Sequence, residues 1–300
     1  MDVEFDAIVD SINQGEGFSN ITVKDETLKD INIKVSLEQL ENIVVGNCYH
    51  IKCEPKVYKE KDVFVLNDII SVFEYYNYLE LAKILNKFYP SAPVNVEETH
   101  KYVIDAINSI KNENISRITK EIYETYKNEF VIYPAATKFH HAYVGGLMYH
   151  TKTMLEVASK LLEIYSYMNK DLVFAGIILH DILKVKEFNS PIHPNYSVEG
   201  QLIGHLVLSA LEIEKASIKL NIDSEEVLLL KHIVLSHHGQ FEYGSPKKPM
   251  IKEAVLVSLI DNMDSKLTML GEQLAETPAN EFSQQVNVLE RTRIFNHNIK

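Results

Sequence analysis

Over residues 1–72 hydrophobic and polar positions alternate, and beyond them the period changes. Short alternating runs occupy Phe5–Val9, Ile21–Val23, Ile31–Val35, Cys48–Cys53 and Val63–Leu66. A period of two marks strands that turn one face to a core. Turn-rich stretches separate the runs, among them Asn13-Gln14-Gly15-Glu16-Gly17 and Gly46-Asn47. Five short strands with a helix or turn near Ser36–Ile43 fit a small β-barrel, and the OB type is a common barrel of this size. Other small barrels and meanders carry nearly the same signature.

After Asp68 the spacing becomes helical. A helix over Tyr75–Phe88 ends at Pro90, with Pro93 beyond it. Further helices are predicted over Glu97–Lys111, Ile115–Asn128, Ala142–Ile164, Lys170–Leu183, Val198–Leu220, Ser224–Leu235, Ile251–Leu270 and Glu281–Arg293. The chain therefore reads as an α+β multidomain protein. A small OB-like β-barrel covers 1–72, a helical linker 73–95, and an all-α domain 96–300.

Composition narrows the class. The hydrophobic share of 46% and charged share of 24% are those of an ordinary globular protein. The two cysteines, Cys48 and Cys53, exclude a disulfide framework and a cysteine-based zinc ribbon. They suit a reducing, cytoplasmic setting, as does the lack of a basic-then-apolar leader. No run approaches the roughly 18 apolar residues of a membrane span, so no membrane partner is expected.

Net charge is −12, and residues 1–75, with 15 acids and 7 lysines, carry −8 of it. Unspecific attraction to nucleic acid is therefore not how this protein finds a partner. A local basic patch or a bound metal can still supply positive potential. One such patch interleaves Lys52, Lys56, Tyr58, Lys59 and Lys61 on a predicted hairpin. Tyr58 and Lys59 are its candidate nucleic-acid contacts, although a sheet edge blunted by lysines has the same composition.

The chemistry concentrates in the helical part. It carries His150, His180-Asp181, His205, His237-His238 and Asp261. Apolar runs precede three of these groups: Leu172–Leu179 before His180, Ile233–Leu235 before His237, and Ala254–Ile260 before Asp261. A carboxylate at the end of an apolar run is costly to desolvate unless paired or ligated. Imidazole and carboxylate together suit Mn, Fe, Co, Ni or Zn, and a set without Cys favours an open catalytic site over a closed structural one. A buried network of hydrogen bonds would use the same residues.

His180 and Asp181 lie about 100° apart on a helix, so they converge on one centre only near the helix axis or end. Two metal ions sharing a carboxylate would clamp a phosphodiester and activate water. Lys184 follows Asp181 by three residues, on the same helical face, where its ammonium could meet a phosphate oxygen. His140, His141, Tyr243 and Ser245 flank these groups and are candidates for substrate contact.

The order His150, His180-Asp181, Asp261 resembles that of the HD superfamily of metal-dependent phosphohydrolases. The resemblance is closer to the YhaM-type 3′→5′ exoribonucleases. It rests on Tyr133-Pro134-Ala135-Ala136, His140-His141-Ala142, Gly145–Thr151, Phe174–Val185, Gly200–His205, Leu235–Pro246 and Leu259–Asp264. It spans about 75–270, and the family also carries an N-terminal OB-type domain. The resemblance implies that His150, His180, Asp181 and Asp261 hold a first metal. Asp181, His205, His237 and His238 would hold a second, and Lys184 would lie near the scissile phosphate. It further implies Mn²⁺ or a similar divalent ion, two per chain, and single-stranded RNA as substrate, with DNA or another nucleic acid as the wider class. Leu183 departs from the small residue that often precedes the family's lysine, and the acidic N-terminal part contains no Trp for base stacking.

Two rival readings remain at the level of sequence. HD sites also hydrolyse small nucleotides and cyclic dinucleotides, although Tyr243-Gly244-Ser245-Pro246 replaces the Gly-Tyr-Pro loop of the cyclic-dinucleotide enzymes. A non-catalytic binding protein would be expected to have lost some of the His/Asp set. The sequence is also compatible with a homo-oligomer.

Overall fold

A computed structural model describes residues 2–15, 18–58, 61–137 and 141–299. The chain divides into two compact units, Met1–Ser91 and Ala92–Lys300.

The first unit is a closed five-stranded barrel. Its strands are β1 (Val3–Gly15), β2 (Phe18–Lys24), β3 (Asp30–Lys34), β4 (Cys48–Tyr58) and β5 (Lys61–Ser71), in the order β1-β2-β3-β5-β4. All pairs are antiparallel except β3 with β5, and β1 closes the barrel against β4. This is the OB-like barrel that the alternating runs predict. Alternation sets the core: Ala7 and Val9, Ile21 and Val23, and Ile51 and Cys53 all point inward. Both cysteines are buried and free. Between β3 and β4, the short helix α1 (Leu37–Leu40) starts on a capping box of Ser36 and Gln39.

The predicted helix over Tyr75–Phe88 is two helices, α2 (Val72–Tyr75) and α3 (Tyr78–Phe88). Asn77 breaks it by accepting from the N–H groups of Leu79 and Glu80 as the cap of α3. Most of the segment 73–95, read from sequence as a linker, thus falls within the barrel's unit.

The second unit is helical. α4 (Val96–Asn108), α5 (Glu113–Ile132), α6 (Gly146–Ile164), α7 (Lys170–Leu179), α8 (Lys184–Glu187), α9 (Val198–Leu202), α10 (His205–Leu220), α11 (Glu225–Ser236) and α12 (Lys252–Ala275) follow in order. At its centre is α7, which buries every residue from Leu172 to Leu179. A helix apolar all round is a core helix, and each large aliphatic side chain buried there contributes roughly 1.5–3 kcal/mol. Gly176 permits the packing: a Cβ there would lie 2.8 Å from Ile233 Cγ2 of α11.

Several predicted helices have other bounds in the structure. α6 starts at Gly146 rather than Ala142, because the Gly145 N–H donates to the Ile132 carbonyl and the Val144 carbonyl accepts from Ala92. α7 stops at Leu179, where the His180 ring bonds back to the Ile177 carbonyl. The predicted Val198–Leu220 helix breaks into α9 and α10 at Gly204, whose φ of +76° leaves the helical region. Glu281–Arg293 is not a helix. It is a hairpin-like excursion with bridges Phe282–Phe295 and Val286–Thr292, and its apolar residues meet across the turn.

Candidate active site

Five helices of the second unit carry the predicted chemistry, within them or at their ends, and bring it together. α6 supplies His150, and the end of α7 supplies His180 and Asp181. The first residue of α10 is His205, His237 caps α11, and the middle of α12 carries Asp261. His180 and Asp181 stand at the end of α7, the place where adjacent residues can converge on one centre.

The centre of the arrangement is the buried carboxylate of Asp181, which divides between two histidine groups. Its Oδ2 lies 3.3 Å from His180 Nε2 and 3.9 Å from His150 Nε2. Its Oδ1 lies 3.2 Å from His205 Nε2 and 3.5 Å from His237 Nε2. Asp261 Oδ1 stands 3.3 Å from His150 Nε2. The donor atoms of His150, His180 and Asp181 lie within 4.8 Å of one another, as do those of His180, His237 and Asp261, and those of His205, His237 and His238.

Each of four rings is oriented from behind through its Nδ1–H. His180 donates to the Ile177 carbonyl at 2.7 Å and His237 to the Val234 carbonyl at 2.8 Å. His205 donates to Glu187 at 2.9 Å, and His150 to Asp264 at 2.7 Å. Carbonyls and carboxylates only accept, so Nδ1 carries a proton in each of the four and every Nε2 faces inward. His180 Nε2, His205 Nε2, His237 Nε2 and Asp181 Oδ1 are buried and form no hydrogen bond with any described residue. Leaving four such atoms unsatisfied costs roughly 1–3 kcal/mol apiece, and divalent cations are the ligands that would satisfy them together. The donor set therefore fits metal ions, and the carbonyls and carboxylates behind the rings are the outer partners metal-bound histidines use.

Behind His150 runs a longer chain. The Tyr143 hydroxyl lies 3.0 Å from His141 Nδ1, and His141 Nε2 lies 3.1 Å from the Asp264 oxygen that holds His150. His141, expected to touch substrate, is wholly buried. Its place is behind His150, where Asp264 joins the two rings, as a positioning group.

Burial and charge set the ionisation of the site. Burial pushes the Asp181 carboxyl up, but the His180 and Lys184 charges outweigh it and hold the group well below the carboxylate range. Burial lowers Lys184 and the Asp181 charge raises it more, so the ammonium persists; Nζ lies 2.7 Å from Asp181 Oδ2. Burial and the His237 charge press His238 down to about 4. His150 goes the other way: despite burial, Asp261 and Asp264 draw it up to about 9.

A cleft of about 770 Å³ opens onto these groups. Asp181, Lys184, His237, His238 and Asp261 line it, together with Lys266 and the hairpin residues Asn287, Val288 and Glu290. Ser245 is buried and is not among the lining residues. Lys59 and His140 lie outside the described residues, as do the side chains of Tyr58 and Tyr243.

Sequence reasoning missed two carboxylates. Glu187 is buried between Val185 and Phe188, so the desolvation argument that singles out Asp181 applies to it equally. Asp264 is buried against His141 and His150. Its position one turn after Asp261, on the same face, is the signal that could have found it.

The fold and this donor set define a helical phosphohydrolase of HD type, and residues 147–266 match the HD domain family. Among curated proteins, the chain is 40% identical over 252 residues to the 3′-5′ exoribonuclease YhaM of Bacillus pumilus, covering 84% of this chain and 76% of the relative. The same values hold for the YhaM of Bacillus subtilis. That of Bacillus licheniformis is 44% identical over 211 residues, 70% of this chain and 67% of the relative. The chain belongs to the YhaM 3′-5′ exoribonuclease family.

Proposed function

We propose that this protein is a metal-dependent 3′→5′ exonuclease that hydrolyses the phosphodiester bonds of single-stranded RNA, and of DNA through the same chemistry, to nucleoside monophosphates in the cytoplasm. In this reading His150, His180, Asp181 and Asp261 hold one divalent ion. Asp181, His205, His237 and His238 hold a second, and Mn²⁺ is the assigned metal. The observation that carries the reading is the division of Asp181, one oxygen toward each histidine group. Family membership supports the polymer substrate and the direction of attack.

Ions so held supply Lewis acidity toward a phosphoryl oxygen and lower the pKa of bound water. The protein's own groups do the rest. Asp181 stays ionised, and the histidines are fixed as Nδ1–H tautomers. Lys184 presents a persistent ammonium to the phosphate at the mouth of the cleft, where charge develops as the bond breaks. The barrel unit is assigned to guiding the strand.

A time course on 5′-labelled and 3′-labelled RNA, with Mn²⁺ and with EDTA, tests the proposal. The 5′ label should give a descending ladder and the 3′ label an immediate mononucleotide, both lost in EDTA and in Asp181→Ala. Intact RNA in every lane would contradict it and redirect the search to small nucleotides.

A further inference from the structure

The cleft is larger than one phosphodiester needs, and its lining carries a cation that single-phosphate chemistry leaves idle. Ser258, Asp261, Asn262, Ser265 and Lys266 all line it. Their spacing of three and four residues puts them on one face of α12, so the helix presents a polar track that starts beside the candidate metal ligands. From Asp261 to Lys266 the helix advances about 7.5 Å, comparable with one nucleotide repeat of an extended strand.

Lys266 differs from Lys184 in its pairing. Lys184 is tied to Asp181 at 2.7 Å. Lys266 is half-buried in a protein of net charge −12, yet among the described residues it forms no ion pair or hydrogen bond. Most other half-buried lysines of this unit with resolved partners, such as Lys152 and Lys231, meet a glutamate. Glu290 lines the same cleft but forms no ion pair with Lys266, and an ammonium not committed to a carboxylate is suited to an anion that arrives from solution. The hairpin tip contributes Asn287 and Val288, and Val286 and Ser283 anchor that tip by being buried.

We propose that Lys266 binds the phosphate adjacent to the scissile one, so that the α12 track forms a second nucleotide subsite and the enzyme prefers a strand over a dinucleotide or a free nucleotide. This rests on the exonuclease reading of the same site and deepens it. Lys266 is a binding residue in this account, and it touches neither the scissile bond nor the metal ligands.

The test compares wild type, Lys266→Ala and Lys266→Arg, loaded with Mn²⁺, on an oligouridylate and on bis(p-nitrophenyl) phosphate, which has one phosphate. Lys266→Ala should lose about tenfold in kcat/KM on the oligomer, chiefly through KM, so that the ratio of oligomer to single-phosphate probe falls by the same factor. The plot of log kcat/KM against log salt should flatten by about 0.7, the contribution of one phosphate contact to a single strand. Lys266→Arg should restore both. Equal losses on the two substrates, or an unchanged salt slope, would overturn the Lys266 assignment alone. A wild type that cleaves neither substrate would overturn the exonuclease reading and this inference with it.

Discussion

Both units of this protein contain a His/Asp cluster, and the two are built differently. In the barrel, His50 Nδ1 lies 2.9 Å from Asp6, and the Tyr76 hydroxyl donates to both oxygens of the same carboxylate at 3.0 Å. The His50 ring stacks on Tyr75 at 3.9 Å. That carboxylate is consumed by its neighbours. In the helical unit the neighbours take only the outer nitrogen of His180, His205 and His237, and the inner nitrogens of these three rings converge on Asp181 without hydrogen bonds to described residues. Satisfied groups of this kind hold a fold together, whereas buried donors aimed at a common point and left open mark a place for something else. Residue type alone does not separate the clusters; the direction of the hydrogen bonds does.

The sharpest way to break this comparison is to remove the carboxylate from each cluster. Asp181→Ala should lower Mn²⁺-dependent RNA hydrolysis on the order of 1000-fold, measured as kcat/KM, while the chain still folds. Asp6→Ala should leave hydrolysis unchanged and lower thermal stability by about 1–3 kcal/mol through its lost hydrogen bonds, read from denaturant unfolding. If Asp6→Ala also abolished hydrolysis, the distinction between a closed and an open cluster would be wrong.

Next in size are the outer partners. Glu187→Gln and Asp264→Asn should each weaken metal affinity by about 10–100-fold, measured by Mn²⁺ titration of activity, with kcat recovering at saturating metal. A loss of kcat that excess Mn²⁺ does not restore would mean these carboxylates act on substrate instead.

A smaller effect concerns protons. In the metal-free protein Asp261 and Asp264 draw His150 up to about 9, so near neutral pH it is protonated. Its charge pairing therefore stabilises the metal-free fold fully below the unfolded pKa of about 6.5, and that contribution fades as pH rises through about 9. Metal binding must displace that proton. Calorimetry of Mn²⁺ binding near pH 7.5, in buffers of different ionisation enthalpy, should report release of about one proton. Uptake, or no transfer, would contradict the placement of His150 between the two carboxylates.

Much of the helical unit's site was legible along the chain because burial leaves a mark there. Apolar runs ending in His180, His237 and Asp261 announce polar groups delivered into an interior. The barrel was legible for a similar reason, since a period of two shows wherever one face is covered. What stayed hidden depends on tertiary partners. The hydrogen bond of Asp264 with His150 spans 114 residues, so the spacing from Asp261 marks the face of α12 but not the partner. Glu187 meets His205 only because α10 begins afresh at Gly204, a break the continuous apolar spacing of Val198–Leu220 conceals. The hairpin at Glu281–Arg293 misled because Phe282, Val286 and Ile294 keep spacings a helix could use. Of the three only Val286 is buried, and Glu290 and Arg291 both take positive φ, where helix is not an option.

The account turns on one carboxylate shared by two metal positions, and metal stoichiometry with electron paramagnetic resonance tests that most directly. Wild type reconstituted with Mn²⁺ should bind two ions per chain and show the signal of a spin-coupled pair, which Asp181→Ala should lose. One ion per chain, or two that remain magnetically independent in wild type, would contradict it.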